Sequence, residues 1–200
     1  MAWAPDYITD DELADWLRIG DSLDDAEIAL AITAASRAVD NLCNRQFGKA
    51  DAAEERVYPA TPRADRGVWV AVIDDVMTTT DLTVDLDGDV ITDYILEPRN
   101  AAALGVPWTR LVIGRDSAVQ PTSTDYEITV SANPWGWSAI PDPVQLATRL
   151  QASRFLIRRD SPYGVAGSPD QGNEMRLLAR LDPDVAMMLP GKYRRPRKVG

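Results

Sequence analysis

LTVDLDGDVITDYIL, residues 82–96, is the stretch whose reading decides the fold class. Apolar and polar residues alternate on either side of Asp87-Gly88, a dipeptide that suits a two-residue hairpin turn because both residues tolerate a positive φ. The stretch therefore predicts a β-hairpin from Leu82 to Leu96. Further β-type runs surround it: Val68 to Ile73 upstream, then Leu111 to Ile113 and Tyr126 to Val130 beyond a loop rich in Pro, Gly and Ala at 98–107. Asn133-Pro134-Trp135-Gly136-Trp137 ends the region. Trp135 and Trp137 would share a face if extended, which suits either a lid on the core or a contact patch.

Both flanks read as helical. Thr9-Asp10-Asp11-Glu12 has the form of a capping box, and Leu13, Trp16 and Leu17 follow at helical spacing as far as Gly20. Ser22 to Asp25 offers a second start, after which Ile28, Ile32, Ala35, Val39 and Leu42 recur at steps of four and three. A neighbouring face carries Ala29, Ala31, Ala34 and Ala38, small enough to admit a second helix from the same subunit or from another. Downstream, Asp142-Pro143 opens a helix through Leu146, Ala147, Leu150 and Ile157 to Arg158-Arg159. Tyr163 to Gly172 is rich in Gly and Pro and reads as an exposed loop. Asp182-Pro183 starts a short helix that Pro190-Gly191 ends.

The expected fold class is α+β: a mainly α-helical bundle with an inserted small antiparallel β region, forming a single domain over residues 1–200. Its parts are N-terminal helices at 1–50, a β insertion at 55–138, a helix at 141–160, a loop at 161–181 and a C-terminal arm at 182–200.

Composition narrows the function. The chain has 200 residues, 45% hydrophobic and 26% charged, which suits one globular core. It contains no histidine, so the commonest general base and zinc ligand are missing, along with every Ser-His or Cys-His nucleophile. The lone Cys43 has no internal disulfide partner and sits in an apolar helical pattern, as a small core residue would. No apolar run approaches the roughly 18 residues of a membrane span and the start does not read as a signal peptide, so the expected place of synthesis and residence is the cytoplasm.

Acidic residues number 31 against 21 basic ones, a net charge of -10, which argues against a surface that grips nucleic acid throughout. The end, Lys192-Tyr193-Arg194-Arg195-Pro196-Arg197-Lys198, is nevertheless basic. Asp85-Leu86-Asp87-Gly88-Asp89 resembles a calcium loop only superficially, because Val90 and Leu96 occupy the positions where an EF-hand places Gly and Glu. Asp24-Asp25 and Asp74-Asp75 are sequence neighbours, which rarely face one site. Gly164, Gly167 and Gly172 lack the lysine of a phosphate loop. No metal or cofactor is expected, and no enzymatic activity. Two other readings remain: a DNA-binding regulator that uses the basic tail, and a carboxylate-dependent enzyme built on the Asp clusters.

The chain resembles a known family. PDPVQLATRLQASRFLIRRDSPYGVAGSPDQ (141–171) and RLDPDVAMMLPGKYRR (180–195) are similar to the C-terminal half of head-to-tail connector proteins of long-tailed phages infecting actinobacteria. YITDDELADWL (7–17), DNLCNRQFG (40–48), VDLDGD (84–89), LEPRNAAALGVPWTR (96–110) and NPWGW (133–137) extend the resemblance in the same order over nearly the whole chain. The resemblance implies a virion protein at the head-tail junction that forms a ring, usually of twelve, beneath the portal. Its implied partners are the portal protein, a stopper or tail-completion protein, further copies of itself, and genomic DNA passing through the channel without sequence-specific binding. An acidic channel would let phosphate slide rather than stick.

Within the C-terminal arm, Val185, Met188 and Leu189 form an apolar face that a helix of about two turns cannot keep in water. Together with Tyr193, Arg194 and Arg195 they are the candidate interface to the portal or to a neighbouring subunit. The alternative is that they pack on their own subunit's core.

Overall fold

The computed structural model describes residues 4–19, 25–160, 165–166, 175–176 and 183–195. The chain divides into a β unit, residues 48–139 with the extreme N-terminus, and a helical unit, residues 5–47 and 140–200.

The β unit holds β1 (Glu54–Arg63), β2 (Val68–Val76), β3 (Thr83–Leu86), β4 (Asp89–Val90), β5 (Tyr94–Glu97), β6 (Trp108–Gly114) and β7 (Glu127–Ala132), with the single-turn helix α3 (Ala101–Leu104) between β5 and β6. All pairings are antiparallel, in the spatial order β4-β3-β7-β1-β2-β6-β5. The consecutive strands β4 and β5 lie at opposite edges, yet only residues 91–93 join them. Three linking residues reach about 14 Å at most, whereas a flat sheet of seven strands would hold its edges roughly 29 Å apart. The sheet must curl, and it forms a half-barrel. Its interior is filled by alternate residues of every long strand, among them Tyr58, Ala71, Ile73, Leu111, Ile113, Ile128 and Val130, and by Trp135.

This corrects the expected fold class. The β region is not a small insertion in a mainly helical bundle but a seven-stranded sheet with a core of its own. The residue pattern does not show β1, because Pro59 and Pro62 argue against a strand: proline cannot donate to a ladder. The structure shows why both are tolerated: β1 pairs with β7 through residues 54–59 and with β2 through residues 60–63, so each half carries one ladder and has one side free of pairing. The predicted hairpin is also shorter than expected. Asp87 and Gly88 take φ 50° and 90°, as the tight turn requires, but β4 lasts two residues before the chain crosses to the other edge as β5.

In the helical unit, α1 (Asp10–Leu17), α2 (Asp25–Cys43) and α4 (Asp142–Asp160) pack on one another, and α5 (Pro183–Met188) packs on α4. Thr9 and Glu12 form both halves of the capping box, with the Glu12 amide donating to Thr9 Oγ1 at 3.2 Å and the Thr9 amide to Glu12 Oε2 at 2.9 Å. Ile8, Leu13, Ile28, Ile32, Ala35 and Ala152 make the shared core. Ala31 belongs to it, whereas Ala34 is exposed. Of the segment read as a loop, the described residues form a two-residue ladder between β8 (Val165–Ala166) and β9 (Met175–Arg176). The rest of that segment, the Ser22 and Asp182 helix starts and the end of the basic tail lie outside the described residues. The first helix ends before the expected Gly20, at Leu17, where Arg18 takes the left-handed cap at φ 58°.

Candidate interaction surfaces

The structure separates the six candidate arm residues into two groups. Val185, Leu189 and Tyr193 are buried, whereas Met188 and Arg195 are half-buried and Arg194 is exposed. Tyr193 lies in a one-turn 3-10 helix (Gly191–Tyr193) and meets the Phe47 ring edge-on at 6.2 Å. The Arg195 amide donates to the Cys43 carbonyl at 2.8 Å, and the Arg45 guanidinium to the Lys192 carbonyl at 3.2 Å. Arg194 folds back on the end of α5, its guanidinium donating to the carbonyls of Leu189 (2.8 Å) and Ala186 (2.7 Å). These are carbonyls that a helix C-terminus otherwise leaves open. The apolar half of the arm thus packs on its own unit, while Met187, 76% exposed, faces outward.

Phe47 joins this corner to a polar cluster that spacing alone did not reveal. Its ring meets Tyr7 at 5.8 Å, and its amide donates to the Tyr7 hydroxyl at 3.0 Å. That hydroxyl donates in turn to the buried Asp40 carboxylate, which also pairs with Arg37 at 2.8 Å. Burial raises Asp40 above its ordinary 3.8, with the Tyr7 hydrogen bond and the Arg37 cation acting the other way. A raised folded value means that the native state holds the proton more tightly than the unfolded chain. The resulting stability is complete below 3.8 and is lost as pH rises through the folded value. Wild-type protein is therefore expected to lose stability relative to Asp40→Asn as pH rises from about 4 toward neutrality. Denaturant melts of both proteins across that range check this, and a difference that stays flat with pH would refute it. Cys43, beside the same corner, has its thiol pushed up to about 11 by burial and is protonated at neutral pH.

The carboxylates named in the sequence go separate ways. Asp74 accepts from Arg56 at 2.9 Å and from the Tyr58 hydroxyl at 2.9 Å, while Asp75 is buried and accepts from the Trp137 indole at 2.9 Å. Asp87 and Asp89 lie exposed at the hairpin tip. Among the described residues, no three acidic or cysteine side chains gather in a way that could hold a metal ion. Trp135 and Trp137 are both buried, so the motif is a core element rather than a contact patch.

What each unit offers outward is apolar surface with a charged rim. On the half-barrel's outer face the register aligns Thr61, Val70, Val112 and Ile95 across β1, β2, β6 and β5. Ile95 is 40% exposed and Val57, on the same face of β1, 59%. Residues 48–139 hold fifteen acidic against seven basic residues, so most of the net negative charge belongs to this unit. On the helical unit, Leu30, Ala34, Phe155 and Leu156 line an apolar groove of about 290 Å³ between α2 and α4, and Leu30 is 70% exposed. No helix among the described residues is long and apolar enough to cross a membrane.

The molecule is thus an α+β protein that combines a curled antiparallel half-barrel with a packed helical unit. No family model and no curated protein matches the chain. Among solved structures it is similar to a chain of the neck of an empty GTA particle computed with C6 symmetry, at 19% sequence identity and a TM-score of 0.49, over 100% of this chain and 96% of that chain.

Proposed function

We propose that the whole chain acts as one subunit of a head-to-tail connector, a structural virion protein that closes into a ring beneath the portal and lines the channel through which DNA leaves the capsid. The observation that carries this reading is the ordered series of connector-like segments, from YITDDELADWL through NPWGW to RRDSPYGVAGSP, which runs through both units. The acidic surface of the half-barrel supports it, since a channel wall that repels phosphate does not retain DNA. On this reading the protein is made in the host cytoplasm and is not an enzyme. It meets the portal on one side and a stopper or tail-completion protein on the other, and twelve copies make the ring. In the arm, Val185, Leu189 and Tyr193 anchor the segment on its own unit, so that Met188, Arg194 and Arg195 are presented to the portal or the neighbouring subunit.

Electron microscopy and native mass spectrometry of the purified protein, alone and mixed with its portal, test the proposal. Rings on the portal are expected. Protein that remains monomeric at high concentration and beside the portal would remove the reading. So would a shift in DNA mobility at low salt that fades steeply as salt rises, which is the behaviour of a DNA-binding regulator.

A further inference from the structure

The groove between α2 and α4 is walled by Leu30, Ala31, Ala34, Phe155 and Leu156, and of its lining residues only Glu27 is charged. It offers an occupant apolar contact and a single anion at the edge, so it suits an apolar side chain with one cation beside it. The single-turn helix α3 of the β unit presents such a side chain. Ala101 is buried and anchors the turn, whereas Ala102, Ala103 and Leu104 are exposed, Leu104 by 64%. The turn is held at both ends: the Ala101 amide donates to the Pro98 carbonyl at 3.0 Å, and beyond Gly105, at φ 60°, the Val106 amide donates to the Ala101 carbonyl at 3.1 Å. A knob fixed in this way loses little freedom when it is covered. Arg99 is exposed in the turn that enters α3, and among the described residues neither Arg99 nor Glu27 makes an ion pair. Other exposed apolar side chains carry the wrong charge for this groove: Tyr126 stands between Asp125 and Glu127, and Val90 follows Asp89.

We infer that the α2–α4 groove of one subunit receives Leu104 of α3 from a second copy, with Arg99 of that copy facing Glu27. Such a contact joins two different surfaces and so runs head to tail, the type of interface that closes into a ring when its rotation permits. Pairing like with like is disfavoured, because groove against groove opposes the two Glu27 carboxylates and knob against knob opposes the two Arg99 guanidinium groups. The inference rests on the ring proposed above and names the surfaces that build it.

The experiment uses full-length variants followed by native mass spectrometry and by electron microscopy with portal. Ala34→Lys blocks the groove and Leu104→Asp disables the knob. Both positions are exposed, so the melting temperature should stay within about 3 °C of wild type. Each variant alone is expected to assemble about tenfold more weakly than wild type or worse, as when a side chain at the centre of an interface is lost. Mixed together, the two should form one-to-one pairs that grow no further, because each keeps the one surface the other lacks. Arg99→Glu alone should weaken assembly, and adding Glu27→Arg to it should restore it. Variants that form rings as wild type does, or a mixture that never pairs, would overturn these surfaces while leaving the ring intact. Loss of portal binding by Ala34→Lys with self-assembly unchanged would give the groove to the portal and overturn the inference. A wild-type protein that forms no contact with itself, even on the portal, would overturn the ring and this interface together.

Discussion

Gly136→Ala is expected to destabilise the β unit by about 3–5 kcal/mol, a loss in the range reserved for core and backbone disruption. Gly136 has φ +101°, a conformation that a residue with a Cβ adopts at a penalty of roughly 1–3 kcal/mol. The added carbon would also overlap the Gly48 carbonyl and lie 2.9 Å from Lys49 Cα, both of them backbone. Neither can yield without breaking hydrogen bonds, because this glycine joins two parts of the chain. Its amide donates to the Asp75 carbonyl at 2.6 Å, the Trp137 amide to the Gly48 carbonyl at 2.9 Å and the Ala50 amide to the Trp135 carbonyl at 2.8 Å. On either side, the Trp135 indole donates to the Glu54 carbonyl at 2.7 Å and Trp137 to Asp75, so a shift of the glycine drags two buried indoles with it. The melting temperature should fall by on the order of 10 °C, with tryptophan emission moving to the red. A melting curve within 2 °C of wild type would show that the turn relaxes without loss.

Truncation after Leu181 is expected to unfold or loosen the helical unit. The removed segment carries Val185, Leu189 and Tyr193, all buried. Fully burying side chains of this size contributes about 1.5–3 kcal/mol each, a sum comparable with the total stability of an ordinary domain. Truncation would also free the Cys43 carbonyl and uncover Phe47. A milder variant separates packing from docking. Leu189→Ala, which opens a cavity in the same core, should cost about 2–5 kcal/mol and lower the melting temperature by roughly 5–15 °C. If the truncated protein melts as the full chain does, the arm is no part of the helical core and its apolar residues are available to a partner.

Elements that local residue patterns specify and elements that they leave open divide along a physical line. Helices α1, α2 and α4 were legible because their signals are local: the Thr9 capping box, the 3.6-residue period through Ile28 and Val39, and Asp142-Pro143 at a helix start. The turn at Asp87-Gly88 was legible for the same reason, since two adjacent residues carry its geometry. The extent of the sheet was not. β1 contains two prolines and an irregular burial pattern, and its strand character comes from ladders to β7 and β2, which begin at residues 127 and 68.

Surface and core were likewise only partly readable. The apolar face of Val185 and Leu189 showed that something must cover it, but not what. Trp135 and Trp137 could have been lid or contact patch until Glu54 and Asp75 were found to accept their indoles. By itself the sequence determined α1, α2 and α4, the hairpin turn, the acidic balance and the lack of histidine chemistry, because each follows from composition or from residues within a few positions of one another, whereas the single-turn α3 lies in the stretch read as a loop. Only the tertiary structure decided that the sheet is a curled unit with its own core, and that the arm's buried apolar side chains are spent within the helical unit. Those outcomes depend on contacts between distant residues, whose partners no local pattern names.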